Sequence, residues 1–138
     1  MTRETLEPTR GKLERSLSQA IQALYRSQLG QQMSQALCHL LDNKLIIIIE
    51  NGITQPEKLL AQNGNQDLAL QVRAELESLL EVQLKDLIKE VLGVGVTDLL
   101  SDATLETGRT GTIAILESAP KVRDSLSKSK TQPATSES

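Results

Sequence analysis

Apolar residues Leu13, Leu17, Ala20, Ile21 and Leu24 recur every three or four positions near the start of the chain. That spacing lines one stripe of an amphipathic helix. It predicts a helix over about residues 11–29, closed by Gly30, the residue type most often found just past a helix end. The texture then changes. Two apolar runs, Ala36 to Leu41 and Leu45 to Ile49, flank the polar triplet Asp42-Asn43-Lys44. Asp and Asn tolerate the backbone of a tight turn, and isoleucine is stiff at χ1 and suits strands, so the pattern predicts an antiparallel hairpin. A strand that is apolar at every position has both faces covered. Lys44 and Glu50 bracket the isoleucines as charged guards against edge association.

Asn51-Gly52 ends the second strand, and "TQPE" starts a helix. Thr54 with Glu57 three residues on forms a capping box, and Pro56 falls in the first turn, where its missing N–H costs nothing. This short helix covers about residues 55–61 and breaks at Asn63-Gly64-Asn65. A long periodic segment follows over residues 66–92. Val72, Leu76, Leu79, Leu80, Leu84, Leu87, Ile88, Val91 and Leu92 are read as one apolar side, and Arg73, Glu77, Glu81, Lys85 and Lys89 as the solvated one. Such a helix is about 40 Å long at ~1.5 Å per residue. It outruns a domain whose radius of gyration is near 14 Å, so it either crosses the whole sheet or overhangs it. After Gly93 a second hairpin is predicted. Its strands are Val94 to Leu100 and Thr112 to Leu116, joined by a turn over residues 106–110 in which Gly108 takes positive φ.

The element order is helix, hairpin, helix, hairpin. It predicts an α+β fold with a four-stranded, mostly antiparallel sheet and its helices packed on one face. Residues 1–10 read as a flexible arm, 11–118 as a single domain, and 119–138 as a disordered Ser/Thr/Lys-rich tail.

Composition changes the picture in three ways. The 138 residues include one aromatic side chain, Tyr25, so the core is aliphatic and stacking platforms for single-stranded nucleic acid are missing. The net charge of −3 is uneven: residues 1–118 hold 11 basic and 16 acidic side chains, which argues against a nucleic-acid partner. The lone cysteine excludes an internal disulfide and fits a reducing compartment. The longest apolar run, Leu45 to Ile49, is far short of a membrane span, and the polar start "MTRETLEPTRGKLERS" has no signal-peptide core. A soluble, cytoplasmic protein without direct membrane insertion is expected.

Several strings carry a family resemblance across residues 11–117. "NGITQPEKLLAQ" has the form G-(V/I)-(L/T)-(T/S)-x-x-E opening a helix. "VRAELESLLEVQLKDLIKEVLGV" follows with a V-R-x-x-L start and an x-G-V end, and "LLSDATLETGRTGTIAILE" closes with a hairpin around Ser-Asp. In this order the chain resembles the MpsC-like family. The resemblance implies association with a membrane-potential or cation-translocating system, and it brings no catalytic residues. One departure stands out: where family members often have a Gly-Arg-Gly-Pro-like loop after the first helix, this chain has "SQLGQQMSQ".

Candidate chemistry is sparse. Cys38 and His39 are neighbours on a predicted strand, so they point to opposite faces and cannot share a metal or form a nucleophile–base pair. Asp98 and Asp102 are four apart on a strand, as a site pair or as an exposed polar face. "TGRTGT" resembles a small anion cradle formed by Gly108, Arg109, Thr110 and Gly111, and a plain hairpin turn accounts for the same residues. No Walker loop, dinucleotide fingerprint or zinc spacing occurs. The two-sided strand and the oversized helix predict a homodimer, with Ile46, Ile48, Leu80, Leu84 and Leu87 at its interface. The expected function is a non-catalytic cytosolic accessory or regulatory module, without cofactor or metal, that binds a component of a membrane transport or energy-coupling system. The alternative is a sensor of a small anion or nucleotide with its site near the second hairpin.

Overall fold

The computed structural model describes residues 7–30 and 35–123. The elements are α1 (Arg10–Leu29), β1 (Gln35–Leu41), β2 (Lys44–Glu50), α2 (Gln55–Gln62), α3 (Gln66–Leu92), β3 (Val96–Thr104) and β4 (Arg109–Leu116). All strand pairs are antiparallel, in the order β1-β2-β4-β3. The expected α+β fold with a four-stranded antiparallel sheet is what the chain forms.

Local chemistry places the breaks. Thr9 caps α1 by accepting the Lys12 N–H, and Gly30 closes it in the left-handed region. The first hairpin turns on two residues only, Asp42 and Asn43, with Asp42 at φ 59°. Thr54 and Glu57 form the complete capping box of α2. The second hairpin is longer than the apolar runs implied. Its strands extend to Thr104 and back from Arg109, with the turn at residues 105–108. An edge strand needs apolar side chains on one face alone, so polar Ser101 and Asp102 do not end it.

Among the described residues, the sheet has a covered and a bare face. Ala36, Cys38 and Leu40 of β1, Leu45, Ile47 and Ile49 of β2, and Ala114 and Leu116 of β4 share the covered face by register and are buried. Leu13, Leu17, Ile21 and Tyr25 of α1 and Leu80, Leu84, Ile88 and Leu92 of α3 join them in one core. The isoleucine strand is therefore apolar on two sides but covered by the described chain on one. The free edge of β1 is guarded by α1, whose Glu14 carboxylate accepts the Leu40 N–H at 2.8 Å.

The register of α3 corrects the sequence reading. Its buried line is Ala69, Arg73, Leu80, Leu84, Ile88 and Leu92. Arg73, expected in solvent, is 5% exposed, whereas Leu79, expected on the buried side, is 67% exposed. The first turns of α3 pack on α2 and the rest crosses α1 and the sheet, which accommodates its length.

The segment after residue 118, where a disordered tail was expected to begin, still lies on the domain. Pro120 is buried, Val122 packs against the core, and the Arg123 N–H donates to the Pro8 carbonyl at 2.8 Å. Residues 1–6 of the expected arm, 124–138 of the expected tail, and 31–34 within the string that departs from the family loop lie outside the described residues.

Candidate functional site

Three places on the molecule carry chemistry: the second turn, a buried ion pair with the cavity beside it, and the bare face of the sheet.

The four residues of the candidate cradle are spread over the turn and both faces of β4. Strand alternation sends Arg109 and Gly111 to the bare face and Thr110 to the covered one. The Gly108 N–H donates to Thr104 O at 2.9 Å and the Arg109 N–H to Thr107 Oγ1 at 3.2 Å, so these amides are already used. The Arg109 guanidinium is engaged by Glu50 across the β2–β4 pair, with Nε 3.1 Å and 3.0 Å from the two carboxylate oxygens. Gly108 has φ 76° and serves the turn. Asp98 and Asp102 lie exposed on the bare face of β3.

The ion pair was not legible as a unit. Glu57, fully buried, accepts from Arg73 Nε at 2.7 Å and from Nη2 at 2.8 Å, which is a bidentate grip. It also accepts from the Thr54 N–H at 3.0 Å and the Thr54 hydroxyl at 2.8 Å. Nη2 of Arg73 donates a further bond to Gly52 O at 2.9 Å, and the Gly52 N–H donates to Gly108 O at 2.8 Å. The ion pair thus ties the start of α2, the N-terminal third of α3, the loop after β2 and, through Gly52, the β3–β4 turn. Glycine is required at 52, because a Cβ there would stand 2.8 Å from Thr110 Cγ2. Burial pushes the Glu57 carboxyl up, but the bonds from Arg73 and Thr54 outweigh it and hold the group below its ordinary value. A signal existed in the sequence: Glu57 closes the "GITQPE" string and Arg73 stands second in "VRAEL".

Beside this pair, between α3 and the inner side of β3 and β4, lies a cavity of about 260 Å³. Tyr25, Arg73, Glu77, Glu81, Thr110 and Thr112 are among its walls. The Thr112 hydroxyl is bonded to Ser101 at 2.8 Å, whereas the buried Thr110 Oγ1 has no hydrogen-bond partner among the described residues. Glu77 Oε2 is 3.9 Å from Arg73 Nη1, too far for a hydrogen bond. Burial pushes its carboxyl above the ordinary value, Arg73 only partly opposes this, and Asp102 and Glu57 add to it.

The bare face presents Leu37 and Leu41 of β1, Ile46 and Ile48 of β2, Ile113 and Ile115 of β4, and Leu100 of β3. Leu37, Leu41, Leu100 and Ile113 are 55%, 52%, 60% and 44% exposed. Of the residues expected at a dimer interface, Ile46 and Ile48 lie here. Leu80 and Leu84 are instead buried in the core of the chain itself, and Leu87 packs against that core. The covered side of α3 meets the sheet, so those three leucines serve the fold. Cys38 and His39 sit on opposite sides of the sheet, with Cys38 buried and its thiol pushed up by burial.

The helix–hairpin–helix–hairpin order with these strings extends over residues 9–118, which match the family described as Na+-translocating membrane potential-generating system (MpsC). The chain belongs to the MpsC family. No curated protein and no solved structure matches the chain. The family description associates it with a membrane-potential system, and no helix among the described residues is long and apolar enough to cross a membrane.

Proposed function

We propose that this MpsC-family chain is a non-catalytic accessory module of a membrane-potential-generating system, acting from the cytosolic side as a homodimer joined through the bare sheet face. The observation that carries the reading is that face: seven aliphatic side chains on four strands with no helix among the described residues over them. Isolated exposed leucines are ordinary, but a contiguous aliphatic field is the surface that another chain covers.

A second copy fits it for three reasons. Four strands about 4.8 Å apart and seven residues of ~3.4 Å give a face of roughly 19 Å by 24 Å. Two such faces together approach the lower bound of about 1,000 Å² for a specific interface. Sheets pack face to face with their strands nearly aligned, and two two-fold arrangements do this. With the axis along the strands, Glu50 stands over the partner's Arg109 and Ile46 over the partner's Ile113. With the axis across them, Glu50 stands over the partner's Lys44. Opposite charges meet in both, at the rim of an apolar centre.

Support for a non-catalytic role is the separation of the cysteine and histidine by the sheet and the commitment of Arg109 to Glu50. Light scattering of the full chain at micromolar concentration is expected to give twice the monomer mass, and Ile46→Lys and Ile113→Asp are expected to give monomers that retain the helical and strand circular-dichroism signal. A monomer at every concentration overturns the dimer. For the accessory role, the tagged dimer incubated with native membranes is expected to retain an integral cation-translocating subunit; recovery of no such subunit overturns it.

A further inference from the structure

His39 stands inside the aliphatic field of the bare face. Along β1 it alternates with Leu37 and Leu41, and its neighbour across the strand pair is Ile46. The same row of the sheet continues through Ile113 to Leu100 on β3, where Asp98 and Asp102 flank it. In the single chain the imidazole is exposed. Under a second copy of the face it is not, and the two possible stackings treat it differently. With the two-fold axis along the strands, β1 lies over the partner's β3. Leu37 then faces the partner's Asp102, Leu41 the partner's Asp98, and His39 a leucine between two carboxylates. With the axis across the strands, β1 lies over the partner's β1. His39 then faces the partner's Leu37, and Ile46 faces the partner's Ile48. A carboxylate pressed on a leucine loses water and gains no donor. The first stacking does this to both aspartates. The second does it to Asp102 alone, over the partner's Leu100, at the outer strand, and sets Asp98 over the partner's Thr104.

We propose that the second copy stacks with its axis across the strands, β1 on β1, and that protonation of the two His39 side chains opens this dimer. The inference rests on the sheet-face dimer proposed above. Packed sheets cross at about 30°, and His39 lies about 7 Å from the centre of the face, so the crossing displaces it by about 4 Å and leaves β1 over β1. The charged groups around it give an imidazolium no anion. On β1 its neighbours are uncharged. On β2 the next row carries Lys44, a cation. Arg109 on β4 and Glu50 on β2 are two rows away and bonded to each other. Asp98 and Asp102 are three strands away. At the β1 edge Glu14 of α1 is bound to the Leu40 N–H. From the partner come Leu37, the second His39, and Glu50, which stands over Lys44. Burial among aliphatic groups and the second imidazole both disfavour the charged form, so the separated chains bind protons more tightly than the dimer does. Acid therefore shifts the balance to monomer, through two protons per dimer.

Sedimentation velocity of the full chain, at fixed ionic strength and across the range in which histidine changes charge, tests the proposal. The dimer dissociation constant is expected to rise at least tenfold from about pH 8 to about pH 5.5, with the circular-dichroism signal unchanged. His39→Leu should dimerise at least as tightly as the parent and lose this pH dependence, which separates the imidazole from the other acidic groups. His39→Lys, with a permanent charge, should be monomeric at both ends of the range and keep its circular-dichroism signal. Lys44→Glu should weaken the dimer severalfold at about pH 8, because it sets a carboxylate over the partner's Glu50. In the other stacking Lys44 stands over the partner's Ile115 and the change costs little. A dimer whose affinity ignores pH, or a pH dependence that survives in His39→Leu, overturns the inference and leaves the dimer standing. Tightening on acidification also overturns it, since an imidazolium between the partner's Asp98 and Asp102 belongs to the axis along the strands. A chain that is monomeric even at about pH 8 overturns the dimer itself and this inference with it.

Discussion

Glu57 and Glu77 face the same guanidinium and respond to it in opposite directions. Glu57 takes two of its nitrogens and a backbone and hydroxyl donor besides, so its carboxyl is held below the ordinary 4.5. A lowered folded-state value means stability that is complete above the ordinary range and is lost as pH falls through it. Removing one partner of a buried pair strands the other charge, and Glu57→Gln is expected to cost about 3–5 kcal/mol at neutral pH. Urea denaturation at pH 7 measures this, and a loss under about 1 kcal/mol would contradict the geometry. Glu77 has the raised value, so its charged form is penalised in the folded state. That penalty is present above the folded-state value and disappears as pH drops below the unfolded one. Glu77→Gln should therefore stabilise the protein at pH 7 and lose that advantage near pH 4. Parallel urea midpoints across this range should diverge for the two variants, one below the parent and one above it at neutral pH.

At the scale of the element, α3 carries the decisive register. The line Arg73, Leu80, Leu84, Ile88 and Leu92 faces inward, and Leu68 and Leu79 face out. A 27-residue helix with apolar residues on more than one side offers two candidate faces. Periodicity alone weighs them equally, and it ranks an arginine as solvent-facing. The choice falls to the partner carboxylate, because Glu57 makes position 73 a favourable place for a buried charge. Neighbouring leucines test this directly. Leu80→Ala should destabilise by about 2–5 kcal/mol through the cavity it leaves. Leu79→Ala should stay within about 0.5 kcal/mol, as surface positions do. Equal effects in chemical denaturation would mean that the helix sits in another register.

For the whole molecule, the two ends of the described chain meet: the Arg123 N–H bonds to Pro8 O, Val122 packs on the core, and Pro120 is buried. The family match ends at residue 118, but this packing continues beyond it. A chain ending at residue 118 should melt a few degrees below one ending at 123, since partial burial of one valine and a hydrogen bond contribute on the order of 1–2 kcal/mol. Calorimetry of the two lengths checks this, and identical melting temperatures would show that the strap contributes nothing.

The sequence by itself determined the elements and their order, because helix stripes, the capping box at Thr54, the glycine stops and the Asp42-Asn43 turn are all local. It also placed Cys38 and His39 on opposite faces, since alternation along a strand is a property of the backbone. Only the tertiary structure decided which leucines of α3 are core, that Arg109 lies against Glu50, and that Glu57 and Arg73 are one unit. It alone left one side of the isoleucine strand bare and opened a cavity beside Glu77. Those outcomes depend on groups far apart in the chain, sixteen residues between the ion-pair partners and fifty-nine between Glu50 and Arg109. A side chain's surroundings at such distances follow from how the elements pack, which no local pattern encodes.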